Sequence, residues 1–160
     1  MRIRNAQPAD YSPIIAVLND WWGGRKMGDM LPRLFFIHFG DTSFIAEDAV
    51  EIVGFLIGFF SQTRAAEAYI HFVGVHPDRR KRGVGRKLYA RFFETMLEHN
   101  RTVVRCVTAP INKTSIAFHT RMGFQVEPQE TLVEGVPFYP DYDGRGEHRV
   151  LFVKKSEVSA

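Results

Sequence analysis

The residues of this chain best suited to chemistry run from Arg79 to Arg86: Arg79-Arg80-Lys81-Arg82-Gly83-Val84-Gly85-Arg86. They follow an apolar run, Ile70-His71-Phe72-Val73-Gly74-Val75, and a turn, His76-Pro77-Asp78. Glycines at 83 and 85 let a ligand approach main-chain N–H groups that have no helical partner. A helix start adds partial positive charge, and the arginines and Lys81 add full charges. The chemistry this suits is the capture of a phosphate or pyrophosphate. Two other phosphate loops do not fit. The segment lacks the third glycine of a dinucleotide fingerprint, and no Gly-Lys-Ser or Gly-Lys-Thr stands at Walker spacing. On the loop alone, a solvated basic turn capping an amphipathic helix is the competing reading.

The elements that must position this loop are a strand before it and a helix after it. The spacing predicts strands at Arg2–Asn5, Ser43–Ala46, Ile52–Phe60 and Ala68–Val75, the middle two joined as a hairpin through Glu47-Asp48-Ala49. It predicts helices over Asp10–Asn19 and Met30–Phe39, despite Pro32, and over Gly83–Glu98. Leu88, Tyr89, Phe92, Phe93, Met96 and Leu97 form the apolar face of that last helix. Thr102–Val107 reads as a buried strand, followed by a helix capped by Asn112 and closed at Gly123. Phe124–Val126 and Arg149–Val153 read as final strands around an irregular segment rich in Pro, Gly, Asp and Tyr. This order belongs to an α+β, or mixed α/β, fold.

The chain has 160 residues, 45% hydrophobic and 24% charged, which suits a single domain spanning 1–160. Its net charge is +3, but the segment Asp78–Arg91 holds seven basic residues and one acid. The rest carries 14 basic against 17 acidic residues. Basic charge therefore converges on one helix start instead of lining a face, and no nucleic-acid partner is expected. The longest apolar run, Ile52–Phe60, is too short to span a membrane. Met1–Asn5 lacks a secretory signal's apolar core, so a cytoplasmic protein with no membrane partner is expected. Cys106 is the only cysteine; it excludes an internal disulfide and a cysteine metal cluster, and reads as a packed core thiol.

A second block supports the first. Asn112-x-x-Ser115-x-x-Phe118-His119-x-x-x-Gly123-Phe124, together with Val75-x-Pro77 and Arg80-x-x-Gly83-x-Gly85, resembles the GNAT superfamily of acetyl-coenzyme A-dependent N-acetyltransferases. The blocks stand in the family's order with a strand between them. The resemblance implies a central, mostly antiparallel twisted sheet of about seven strands flanked by about four helices. It implies a splayed strand pair at the coenzyme site, with Phe72–Val75 parting from Thr102–Val107.

It further implies that acetyl-CoA is the co-substrate, that no metal is needed, and that the acyl group passes directly to an amine. Val73 and Val75 would line the pantetheine, and Arg80, Lys81, Arg82, Gly83, Val84, Gly85 and Arg86 the pyrophosphate, with Asn112, Ser115 and Phe118 nearby. Asn112 is also a helix cap, and Ser115 also a small packing residue. The main-chain N–H near Val75, exposed by a local bulge, would serve the oxyanion. His71 stands four residues before Val75, where the family often has a glutamate base. Its ordinary pKa near 6.5 suits that task, and a histidine hydrogen-bonded within the sheet is the other reading. His119 occupies the position of the family's leaving-group tyrosine, and this is the main departure from the pattern. Either it donates to the departing thiolate, or it packs and solvent does so.

The acceptor would lie against two segments, Trp21-Trp22-Gly23-Gly24-Arg25 and Phe138–Glu147. The tryptophans form either an aromatic wall or a plug for the core, with core packing favoured for at least one. Tyr139, Asp141 and Asp143 suit a cationic amine, although Asp143-Gly144 is also ordinary turn chemistry. Arg25 suits a carboxylate instead. The acceptor class is thus an amine of a small molecule or peptide. A homodimer is a family-level expectation. A catalytically weak coenzyme-binding module is the first alternative to an enzyme, and nucleic-acid binding through Arg79–Arg91 is the second.

Overall fold

A computed structural model of the chain describes residues 1–156; 157–160, the end of the expected domain, lie outside the described residues. Seven strands form one sheet: β1 (Arg2–Asn5), β2 (Phe44–Asp48), β3 (Glu51–Phe60), β4 (Glu67–Val75), β5 (Val103–Thr108), β9 (Val150–Lys155) and β6 (Gln125–Val126), in that spatial order. All neighbours are antiparallel except β4 and β5. Four α-helices accompany it: α1 (Tyr11–Trp21), α2 (Leu34–His38), α3 (Val84–Glu98) and α4 (Lys113–Arg121). This is the expected mixed α/β architecture.

Each face of the sheet builds a core. α3 buries Val84, Leu88, Tyr89, Phe92 and Met96 against Phe44, Leu56, Ile70, Val104 and Phe152, with Phe124 closing the α4 side. On the opposite face α1 and α2 bury Ile14, Leu18, Trp21 and Phe36 against Ile45, Phe55, Ile57 and Phe72. β3, buried on both faces, reads as a near-continuous apolar run for that reason. Cys106 packs in the α3 core, where burial pushes its thiol well above the usual range.

Two expectations are corrected. The helix over Met30–Phe39 is only α2, because Pro32 lacks a helical N–H and disfavours helix in the residue before it. A 3-10 turn at Gly28–Met30 precedes it. The irregular segment before β9 contains a hairpin, β7 (Thr131–Val133) with β8 (Val136–Phe138). Its two-residue turn, Glu134-Gly135, has φ of 49° and 82°. Such a turn twists with its strands, so Glu-Gly between two short apolar runs was the signal.

Candidate active site

β4 and β5 are parallel neighbours that pair only through Glu67↔Val103, Ala68↔Val104 and Tyr69↔Arg105. Beyond Tyr69 they part, while β5 stays bound to β9 and β4 to β3. His76 N–H donates to Val53 O, at 2.9 Å. Ladder alternation then turns the N–H and C=O groups of Val73 and Val75 away from β3, into the parting. The expected splay is therefore present, and beyond Tyr69 this edge of β4 has no strand partner.

The bulge lies upstream of where it was expected. Phe72 pairs with Ile57 and Ile70 with Gly58, so His71 is the extra residue of a β-bulge. The insertion changes which face the strand alternation serves. Ile70 packs in the α3 core, whereas both His71 and Phe72 turn to the α1 and α2 side. His71 stacks on Phe35 with ring centres 4.4 Å apart. Its Nε2 lies 2.5 Å from Met30 O. A carbonyl only accepts, so Nε2 carries the hydrogen and Nδ1 is the basic atom. Burial holds this imidazole below its ordinary pKa, against the opposing pulls of the Met30 bond and the nearby Asp143 carboxylate. At neutral pH the ring is an uncharged base.

At the top of β4 the basic loop enters α3. Gly83 takes the left-handed conformation (φ 83°) that a side chain would strain. Lys87 N–H is the first to find a partner along α3, at Gly83 O, so those of Val84, Gly85 and Arg86 face outward. Among the described residues Lys81, Arg82 and Arg86 make no ion pair with an acid. The neighbouring arginines are spent elsewhere: Arg79 pairs with Asp48 at 2.6 Å. Arg80 donates from Nε to Val75 O (3.2 Å) and from Nη2 to Trp21 O (2.5 Å). Phe118 from α4 stands beside Gly85, 3.4 Å from where a Cβ would be. Asn112 caps α4, its Oδ1 accepting from Ser115 N–H at 3.1 Å.

His119 stands in the core beside α3, with both ring nitrogens engaged. It is 7% exposed and stacks on Phe152. Nδ1 lies 2.7 Å from Ser115 O and must donate to it. Nε2 is therefore an acceptor, and Tyr89, itself 1% exposed, donates its hydroxyl to it at 2.7 Å. Both ring nitrogens are committed inside the protein. Burial lowers the His119 pKa, in spite of the Ser115 bond, and holds the Tyr89 phenol well above its usual value. Sequence reasoning missed Tyr89 because it sits among the apolar positions of α3. A buried phenol that must find a polar partner was the available signal.

On the other face of β4, Trp21 is core (5% exposed) and stacks on Phe55. Trp22 is half-buried, 4.9 Å from the Phe72 ring. A Cβ on Gly74 would meet Phe55 at 2.6 Å and Trp22 at 2.8 Å, so glycine is what lets these rings reach the strand. Gly74→Ala is expected to cost roughly 1–3 kcal/mol, because Phe55 is fully buried and cannot yield. A denaturation midpoint matching that of the unsubstituted chain would refute this packing. Arg25 is exposed. Asp141 is absorbed by its own loop, with φ 54° and Oδ1 accepting Gly146 N–H. Tyr139 is 46% exposed and bridges to Arg149. Asp143 is held by Arg149 Nε at 2.9 Å.

The sheet parts between two parallel strands, β4 keeps unpaired main-chain N–H groups along the parting, and a helix start with outward N–H groups stands at its end, which together define a cleft in a mixed α/β fold. The sequence profile of the acetyltransferase (GNAT) family matches residues 11–124, and the chain belongs to that family. It is 30% identical over 107 residues to the L-2,4-diaminobutyric acid acetyltransferase of Nocardia farcinica, covering 64% of this chain and 54% of that protein. The chain spans about half the length of the curated diaminobutyric acid relatives it matches, 54% and 48%. Among solved structures, the Paenibacillus lautus diaminobutyrate acetyltransferase with its substrate and coenzyme A superposes with a TM-score of 0.71 at 18% identity. That match covers 99% of this chain and 96% of that one. The ribosomal-protein-alanine N-acetyltransferase of Brucella melitensis gives 0.70 at 20% identity, covering 97% and 99%. No helix among the described residues is long and apolar enough to cross a membrane.

Proposed function

We propose that this chain is an N-acetyltransferase that moves an acetyl group from acetyl-CoA to a primary amine of a small molecule or peptide, by direct attack. The observation that carries the reading is the pairing of a β4 edge that has no strand partner with a bulged, neutral His71 on the same short strand segment. The coenzyme fits the residues present. The main-chain groups of Val73 and the Val75 N–H suit its amide-bearing arm, Val75 O being taken by Arg80, and the N–H groups of Val84 to Arg86 with Lys81, Arg82 and Arg86 suit its phosphates. When bound it supplies an activated thioester, leaving the protein to position, desolvate and move protons.

An amine acceptor is mostly an ammonium at neutral pH, so a base must take a proton before it reacts. His71 Nδ1 is that base, kept uncharged by burial and kept in one tautomer by Met30 O. The N–H groups of Val73 and Val75 can donate to a carbonyl oxygen held in the parting. Leaving-group protonation is assigned to solvent, since both His119 nitrogens are engaged. The relatives named for diaminobutyric acid support an amine acceptor that also carries charge.

The test is release of free thiol from acetyl-CoA in the presence of diamino acids, polyamines, aminoglycosides, peptides and aryl amines. Turnover with at least one amine is expected. Thermal stabilisation by acetyl-CoA without thiol release for any of them would instead identify a coenzyme-binding module.

A further inference from the structure

We infer that Arg80 is a positioning residue that locks the acceptor-side wall to the coenzyme strand, and is not a phosphate ligand. The inference rests on the acyl-transfer reading for its activity readout, but not for its geometry. Arg80 opens the basic loop, yet its guanidinium turns back to two main-chain carbonyls. Nε donates to Val75 O at 3.2 Å and Nη2 to Trp21 O at 2.5 Å. Neither carbonyl has a place in regular structure. Val75 O lies on the parted edge of β4, and Trp21 O is in the last turn of α1, where helical partners run out.

Arginine suits this task through its chemistry. Its donors form a planar fork, so one side chain holds two carbonyls at a fixed separation; a lysine ammonium has no such fork. Its charge also meets the negative end of α1. The residue after Trp21 is Trp22, whose indole lies on Phe72 and against Gly74. One side chain therefore registers three things: the parted edge of β4, the outer face of the same strand under Trp22, and the start of the loop leading to α3. The charges left for an anion are those of Lys81, Arg82, Arg86 and the α3 start.

The two roles predict opposite results for Arg80→Met and Arg80→Lys. Trp21 and Trp22 are the chain's two tryptophans, so intrinsic emission reports on this contact in the free protein. For a positioning residue, both variants change the tryptophan emission and raise the acceptor KM by about tenfold, the scale of losing charge-assisted hydrogen bonds. Coenzyme A affinity, measured by calorimetry, stays within about threefold. Coenzyme A binding weakened about tenfold or more overturns the inference, and so does unchanged emission. If Arg80→Met fails to fold, Arg80→Lys carries the same measurements. Should the unsubstituted chain release no thiol with any amine, the acyl-transfer reading fails, while emission and coenzyme A affinity still decide the role of Arg80.

Discussion

Replacing His71 by glutamine is expected to lower acyl transfer by roughly 10²–10⁴-fold and to remove the acidic limb of its pH profile. Glutamine keeps a donor for Met30 O but lacks a basic nitrogen, so the substitution separates the base from its anchor. The sign follows from burial. The folded protein holds His71 below its ordinary value of 6.5, so the ring is already neutral at pH 7. In the unsubstituted chain, turnover is expected to fall as pH drops through a midpoint below 6.5. A pH series of kcat with a saturating amine reads this directly. If the variant keeps the same acidic limb, His71 is a sheet histidine and the base lies elsewhere.

The second large effect concerns the buried pair Tyr89 and His119. Tyr89→Phe strands an accepting nitrogen and His119→Phe strands a phenol, each in an apolar cage of Phe118, Phe124 and Phe152. Each change is expected to cost about 1–3 kcal/mol of stability. The double substitution should cost less than the two summed, because it leaves no polar atom unpaired. Stability is also linked to pH. The folded state holds the His119 pKa below 6.5, so as pH falls through that value the unfolded chain takes up the proton first. Stability is full above about pH 6.5 and declines below it until the folded pKa is reached. His119→Phe removes that share of the decline. Denaturant titrations at several pH values check both statements, with turnover measured per folded molecule. A loss of tenfold or more in that turnover, with stability unchanged, would return acid catalysis to His119.

The same pair shows how far the sequence could be read. The glycine spacing of the loop, the helix after it, the Asn112 cap and the Gly123 stop are local features, set by main-chain chemistry within a few residues. They were legible, as was the order of strands and helices around them. The positions of His71 and His119 were legible too, but their surroundings were not. A bulge is a property of two strands in register, and β3 supplies the other half of this one. Asp141 and Asp143 illustrate the point within one loop. Composition offers both to a cation, yet a left-handed backbone turns one carboxylate onto its own loop, and Arg149 presents the other.

The sequence by itself determined where basic charge gathers at a glycine-lined helix start, because those residues are contiguous in the chain. Only the tertiary structure decided how that charge is shared out. Arg79 reaches the β2–β3 hairpin, Arg80 reaches two carbonyls, and Lys81, Arg82 and Arg86 remain. The physical reason is that a long cationic side chain takes whichever acceptor folding brings within reach. Val75 O and Trp21 O become neighbours only once α1 has packed on β4.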